Sequence, residues 1–306
     1  MPWGVGRSVE WRTLILIILC YLGWVLAGLS WQSGFWYLGI VALPFLAAFH
    51  TSLQHETIHG HPTRFGWLNE ALVSLPLAVV FPYRRYRDLH LQHHVDANLT
   101  DPYEDPESYY WPASRYRTMR PVMKTLFRFN NTLVGRLLIG PFLTIYGFGR
   151  TELMAVMRNQ PGVRTAWALH GIGLLMLGAV IHFVFAMPLW VYLVFIVCPA
   201  LSITSLRSYA EHQAAENIGG RTAVVETNAF CSLLYLNNNL HIVHHAHPSV
   251  PWYEIPAYYE ERKKQYLAAN GNLRFSGYGE IVQRFAFTTK QPVEHPFLYQ
   301  EDRAME

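Results

Sequence analysis

"TLILIILCYLGWVLAGL", residues 13–29, is unbroken by any charged side chain. A helix that crosses a bilayer needs about 20 predominantly apolar residues, with a range of about 17–25. The stretch therefore reads as a membrane span at the short end of that range. Working outward, residues 34–53, 165–186 and 188–206 have the same character, the second reaching span length by drawing in its polar flank. Of the 306 residues, 51% are hydrophobic and only 15% charged, where soluble domains carry about 25% charged residues. The mean hydropathy is only mildly positive, so long polar stretches alternate with the spans. Residues 13–29 exceed the apolar core of a signal peptide, and a second span follows at once, which argues for retention.

The links that join the paired spans, "SWQSG" (30–34) and "AMPL" (186–189), contain no Lys or Arg. All 24 basic residues fall elsewhere, Arg7 and Arg12 among them, although the net charge is only +3. By the positive-inside bias both termini and the 54–164 region are cytoplasmic, and Trp31, Trp36 and Trp190 mark the outer interface. The expected fold is an all-α integral membrane protein, one domain over residues 1–306. Two transmembrane helical hairpins carry a cytoplasmic helical cap, and the tail from 248 to 306 is soluble. Within the cap, 67–82 ("WLNEALVSLPLAVVFP") and 133–149 read as helices on or dipping into the membrane face. Residues 101–113 ("DPYEDPESYYWPA") read as an acidic, proline-punctuated loop, and 223–240 as a further apolar stretch. Cys20, Cys198 and Cys231 form no CxxC or disulfide framework and read as small buried apolar residues.

Fifteen histidines are more telling by position than by number. His55 and His59 form one group, His90, His93 and His94 a second, and His241, His244 and His245 a third. Positions i, i+3 and i+4 share a helix face, so each group turns its imidazoles to one patch. The H-x-x-H-H spacing occurs twice, and charge-derived topology puts all three groups on one side of the membrane. Eight imidazoles exceed the four ligands of one zinc and suit two metal ions. His212 lies past the fourth span on the same side and is a ninth candidate. His50, His61 and His247 flank the groups and suit support of a ligand. His170 and His182 lie within the third span with no partner visible in the sequence, and His295 sits in the polar tail, away from the groups.

Residues 55–59 alone, "HETIH", fit the H-E-x-x-H of a zinc metalloprotease, with Glu56 as general base. That reading leaves the other histidine groups unused. A metal-handling transporter is the remaining non-enzymatic reading, but transport sites favour the bilayer midplane, whereas these histidines fall at its rim.

The pattern resembles the membrane-bound fatty acid desaturase superfamily, the histidine-box desaturases, hydroxylases and ketolases, over most of residues 45–260. "HETIHGHPTRFGWLNEAL", "RRYRDLHLQHHVDANLTDPYEDPE" and "NNNLHIVHHAHPSVPWYEIP" are similar to its three boxes with their trailing residues. The resemblance implies two irons held by His55, His59, His90, His93, His94, His212, His241, His244 and His245, with dioxygen as co-substrate. It implies oxidation of an unactivated C–H bond, with desaturation of an acyl chain or lipid as the first reading. Hydroxylation or ketone formation on a lipid, carotenoid or small metabolite is the alternative. Glu56, Asp96, Asp101 and Glu211 are candidates to orient imidazole N–H groups, with helix capping or solvation as the plainer role of Asp96 and Asp101. The sequence contains no ferredoxin-like cysteine set and no nucleotide fingerprint, so a separate ferredoxin- or cytochrome-type electron donor is expected. No nucleic-acid partner is expected. Arg84, Arg85 and Arg87, and Arg262, Lys263 and Lys264, suit an acidic donor or lipid phosphates, although positive-inside placement also accounts for them.

Overall fold

The computed structural model describes residues 9–297; Arg7, the Asp96 side chain and residues 298–306 of the expected tail lie outside what it describes. The described chain is predominantly helical. Its helices in chain order are α1 (Trp11–Leu29), α2 (Trp36–Ile58), α3 (Gly66–Val73) and α4 (Tyr83–His93). There follow α5 (Ala113–Thr118), α6 (Pro121–Asn130), α7 (Leu133–Leu138), α8 (Gly140–Met157), α9 (Val163–Val184) and α10 (Leu189–Glu211). The last are α11 (Ala229–Leu234), α12 (His241–Ala246), α13 (Ile255–Ala269) and α14 (Tyr278–Phe285). Helices α1, α2, α9 and α10 are long and apolar enough to cross a membrane, and they fall on the four expected spans. Helix α2 runs past Leu53 to Ile58 and α10 past Leu206 to Glu211. The polar residues there stay helical because they are buried and hydrogen-bonded: Thr57 Oγ1 donates to Gln54 O at 2.7 Å, and Gln54 Nε2 to Val73 O at 3.1 Å.

By internal contacts the chain forms two compact units, one from the chain up to Arg87 with Pro141–Thr204, the other from Asp88–Gly140 with the chain from Ser205 onward. In the first, α1 packs on α2, with Cys20 Sγ donating to Leu46 O at 3.5 Å and Tyr21 Oη meeting His50 Nε2 at 2.9 Å. Trp24, Leu43, Leu177, Phe185 and Ile196 form its buried core. Leu175 and Phe183 nonetheless remain 77% and 80% exposed. Helices apolar both inside and out belong in lipid rather than water.

The 67–82 segment departs from the expected helix. Only α3 is helical, and residues 74–82 form a loop in which Leu77 is fully buried and Val79 takes φ 67°. Pro76 and Pro82 supply no amide hydrogen; backbone amides meet the carbonyls of Leu75, Pro76, Ala78 and Pro82, and side chains meet two others. Tyr192 Oη donates to Leu77 O at 3.0 Å, and Trp24 Nε1 donates to that hydroxyl at 3.1 Å. His170 Nε2 donates to Val79 O at 2.7 Å, which is the partner the sequence did not show. Arg84 and Arg85 are also committed within this unit, to Glu70 at 2.6 Å and to Glu152 through a two-point pair at 2.8 Å. The expected helix over 133–149 is two, α7 and α8, divided at Ile139, and α8 runs on to Met157.

The second unit is made of short helices around a two-residue parallel pair, β1 (Val224–Val225) and β2 (Arg274–Phe275). Val224, Val243, Ile255 and Tyr259 are its apolar centre. Glu226 draws Lys263, Arg274 and the Tyr259 hydroxyl together at 2.6–3.1 Å. Of the basic stretch at 262–264, then, Lys263 has an internal partner.

Candidate metal centre

In the first unit His55 and His59 share one face at the end of α2, with ring centroids 5.0 Å apart. Gly60 follows with φ 96°, the left-handed conformation that ends a helix and that glycine adopts without strain. Glu56 is buried, with an oxygen 4.0 Å from His61 Nε2. His61 Nδ1 lies 2.8 Å from both carboxylate oxygens of Glu10.

In the second unit seven histidines converge in two sets. His90 and His94 are one helical turn apart, with Nε2 atoms 3.0 Å apart, and His244 Nε2 is 3.0 Å from that of His94. His212 Nε2 lies 3.0 Å from His93 Nε2 and 2.9 Å from His241 Nε2. The His245 ring completes that set, 5.2, 5.0 and 4.7 Å from the rings of His93, His212 and His241. Within each set the donor nitrogens all lie within 4.8 Å of one another.

The opposite ring nitrogens are held by acceptors. His93 Nδ1 is 2.8 Å from Asp105 Oδ1 and His90 Nδ1 is 2.8 Å from Glu107 Oε1. His212 Nδ1 is 3.2 Å from Arg221 O, and His241 Nδ1 is 3.1 Å from Asn238 Oδ1 and 3.4 Å from Glu211 Oε1. Asp105 is fixed in turn by the amides of Thr100 and Glu107 at 2.8 and 2.9 Å. Glu211 is held by Arg207 at 3.0 Å and Asn238 Nδ2 at 3.2 Å.

These bonds decide whether the residues suit a metal. A neutral imidazole has one ring proton. Where Nδ1 donates it to a carboxylate or carbonyl, Nε2 presents a bare lone pair. His93, His212 and His241 then aim three lone pairs at one another across about 3 Å, which is repulsive unless a cation lies among them. Burial and neighbouring positive charge hold His212 and His241 well below the ordinary imidazole range. Burial also works to lower His93, but Glu107 and Asp105 outweigh it and raise the ring to about 9. A proton on His93 Nε2 would relieve its contact with His212 Nε2, but the His212 and His241 lone pairs at 2.9 Å would still oppose each other. The donor set fits a metal ion that would replace that proton, and imidazole nitrogens suit iron.

A family model described as fatty acid desaturase matches residues 30–277. The chain belongs to the fatty acid desaturase family. No curated protein matches it. As a member of that family this desaturase-family protein is an oxidoreductase of the membrane, and all three histidine groups and His212 fall within the matched residues.

The structure gives the candidate supporting carboxylates of the desaturase distinct places. Glu211 meets a histidine directly, as described. Asp101 accepts from the amides of Tyr103 and Glu104 at 2.7 and 3.3 Å, a turn cap. Asp105, Glu107 and Asn238 contact imidazoles but were not among the sequence candidates. Their signal was present in the acidic run "DPYEDPE", with six residues between it and the second group, and the "NNN", with one residue between it and the third. His295, set aside as a tail residue, is buried with Nε2 3.3 Å from Thr100 Oγ1.

Proposed function

We propose that the chain is an O2-dependent di-iron oxidase that removes hydrogen from an unactivated C–H bond, with a fatty acyl chain or lipid as substrate and desaturation as the outcome. The observation that carries this is the double set of imidazoles in the second unit, six of them with Nε2 facing another Nε2 at 2.9–3.0 Å and four with Nδ1 held by an acceptor. The reading takes His55, His59, His90, His93, His94, His212, His241, His244 and His245 as ligands, with His55 and His59 assigned by the family's first box. Bound iron would supply the activation of dioxygen. The protein's own part is to fix tautomers and ring planes: Asp105, Glu107, Asn238 and the Arg221 carbonyl keep protons on Nδ1 so that Nε2 stays available. Glu56 is assigned a supporting role rather than that of a catalytic base. Membership of the desaturase family removes the reason to read "HETIH" as a zinc protease site.

Electrons come from a separate ferredoxin- or cytochrome-type protein, because the sequence has no cysteine cluster or nucleotide fingerprint to carry them. The termini and histidine groups face the cytoplasm, on the strength of the Lys and Arg distribution. Lipid extracts from a lipid-producing host that supplies a competent donor test the reading by mass spectrometry. Loss of two hydrogens identifies desaturation. Gain of an oxygen identifies hydroxylation, and gain of an oxygen with loss of two hydrogens identifies ketone formation. An unaltered lipid profile, or protein that carries a single zinc, overturns it.

A further inference from the structure

The segment 290–295 lies beyond the matched residues 30–277, yet five of its six residues are tied into the second unit by hydrogen bonds at their backbone atoms. Lys290 N donates to Asn131 O at 3.4 Å, and Asn131 Nδ2 donates to the carbonyls of Gln291 and Pro292 at 3.3 Å. Trp111 N donates to Val293 O and His295 N donates to Trp111 O, both at 2.9 Å.

What the strap does with its side chains is more specific. Lys290 Nζ donates to three carbonyls at the end of α10 and just past it, Tyr209 O at 2.9 Å, Ala210 O at 3.0 Å and His212 O at 2.8 Å. The final carbonyls of a helix have no partner within it, and a cation there is favoured by the helix dipole. Here one side-chain nitrogen, its pKa lowered to about 7 by burial and by Arg136 nearby, is directed wholly at the turn that delivers His212, including that residue's own carbonyl. The same carbonyl accepts from Tyr109 Oη at 3.2 Å, so both its lone pairs are used. Farther along, His295 meets Thr100 Oγ1 at 3.3 Å; Thr100 N binds Asp105, and Asp105 binds His93 Nδ1. The segment therefore ends on the supports of two histidines whose Nε2 atoms face each other.

We propose that residues 290–295 are a positioning strap for the set His93, His212, His241 and His245, with Lys290 as the residue that fixes the backbone of His212. The inference rests on the reading of these histidines as metal ligands. Lys290 touches neither substrate nor reacting atoms. It acts through the His212 carbonyl, which sets the plane in which the imidazole is presented. An uncharged side chain of similar length would fill the space but leave Tyr209 O and Ala210 O without this donor and His212 O with Tyr109 alone, and the turn would be held less firmly.

The test uses the full chain in nanodiscs, stripped of metal, with Co2+ as probe. Wild type should bind two ions per chain. Lys290→Met should weaken one of them by about 10–100-fold, the loss typical when support behind a ligand is removed, and change the visible spectrum of that ion. The second ion should stay as in wild type, the Tm of the metal-free protein should fall modestly because Tyr209 O and Ala210 O lose their donor, and Lys290→Arg should restore much of the lost affinity. Unchanged affinity and spectrum in Lys290→Met overturns the proposal and leaves the metal reading standing. A fall in metal-free Tm with both ions weakened alike also overturns it, because Lys290 then serves general stability. Wild-type protein that binds no Co2+ overturns the strap and the metal reading together.

Discussion

Both units bury apolar side chains, but they differ in where their polar ones gather. The first buries apolar side chains such as Leu43, Leu77, Phe185 and Ile196, none with any measurable exposure, and leaves others bare on its outside. The second buries polar ones: Asn238, Asn239, His241 and His244 are each no more than 3% exposed. Volume and shape govern the first, where a methyl group too many or too few is felt through packing. Polar satisfaction governs the second, where a lost partner leaves a buried group unpaired and costs more than the bond itself contributed. The second kind of order suits metal binding, because a buried lone pair held in place is what a metal ion requires.

The sharpest way to break this contrast is to remove a ligand candidate. His93→Ala and His244→Ala should each abolish product formation while the protein still inserts in membranes, as measured by lipid mass spectrometry beside membrane fractionation. Persisting product in either variant would show that the polar order of the second unit is not the active site. Asp105→Ala comes next. It leaves His93 Nδ1 and the Thr100 and Glu107 amides without their acceptor, and should weaken metal binding by about 10–100-fold in a Co2+ titration.

The third test is pH. His93 is raised to about 9 in the metal-free protein, so below that value a metal ion must displace its proton. Affinity should climb as pH rises toward 9, by about tenfold per unit for one displaced proton, and flatten above it. Calorimetry in buffers of different ionisation enthalpy should detect the proton released near pH 7. An affinity that falls with rising pH over this range would contradict the assignment.

In the first unit the expected damage is mechanical. A Cβ on Gly28 would run into the Phe185 ring, so Gly28→Ala should destabilise the protein by about 1–3 kcal/mol without altering the metal count. Loss of metal from this variant would erase the distinction between the units. The smallest effect is expected from Glu56→Asp, which keeps the carboxylate and should leave product yield near wild type; a zinc protease with Glu56 as its base would be badly impaired.

Sequence alone determined the spans, because crossing lipid demands length and apolarity that composition displays residue by residue. It also singled out eight histidines as candidates, because helical spacing brings i, i+3 and i+4 to one face, and added His212 by its place just past the fourth span. Tertiary structure decided what stands behind them. Asp105 reaches His93 from a loop 12 residues on, Asn238 bridges His241 and Glu211, and Lys290 reaches His212 across 78 residues. No periodicity encodes such contacts. Tertiary structure likewise turned 74–82 from an expected helix into a buried loop, since Tyr192 and His170 were available to satisfy two of its carbonyls. A span declares itself through its own solvent, whereas a hydrogen bond to a ligand exists only once distant backbone has been brought within 3 Å of it.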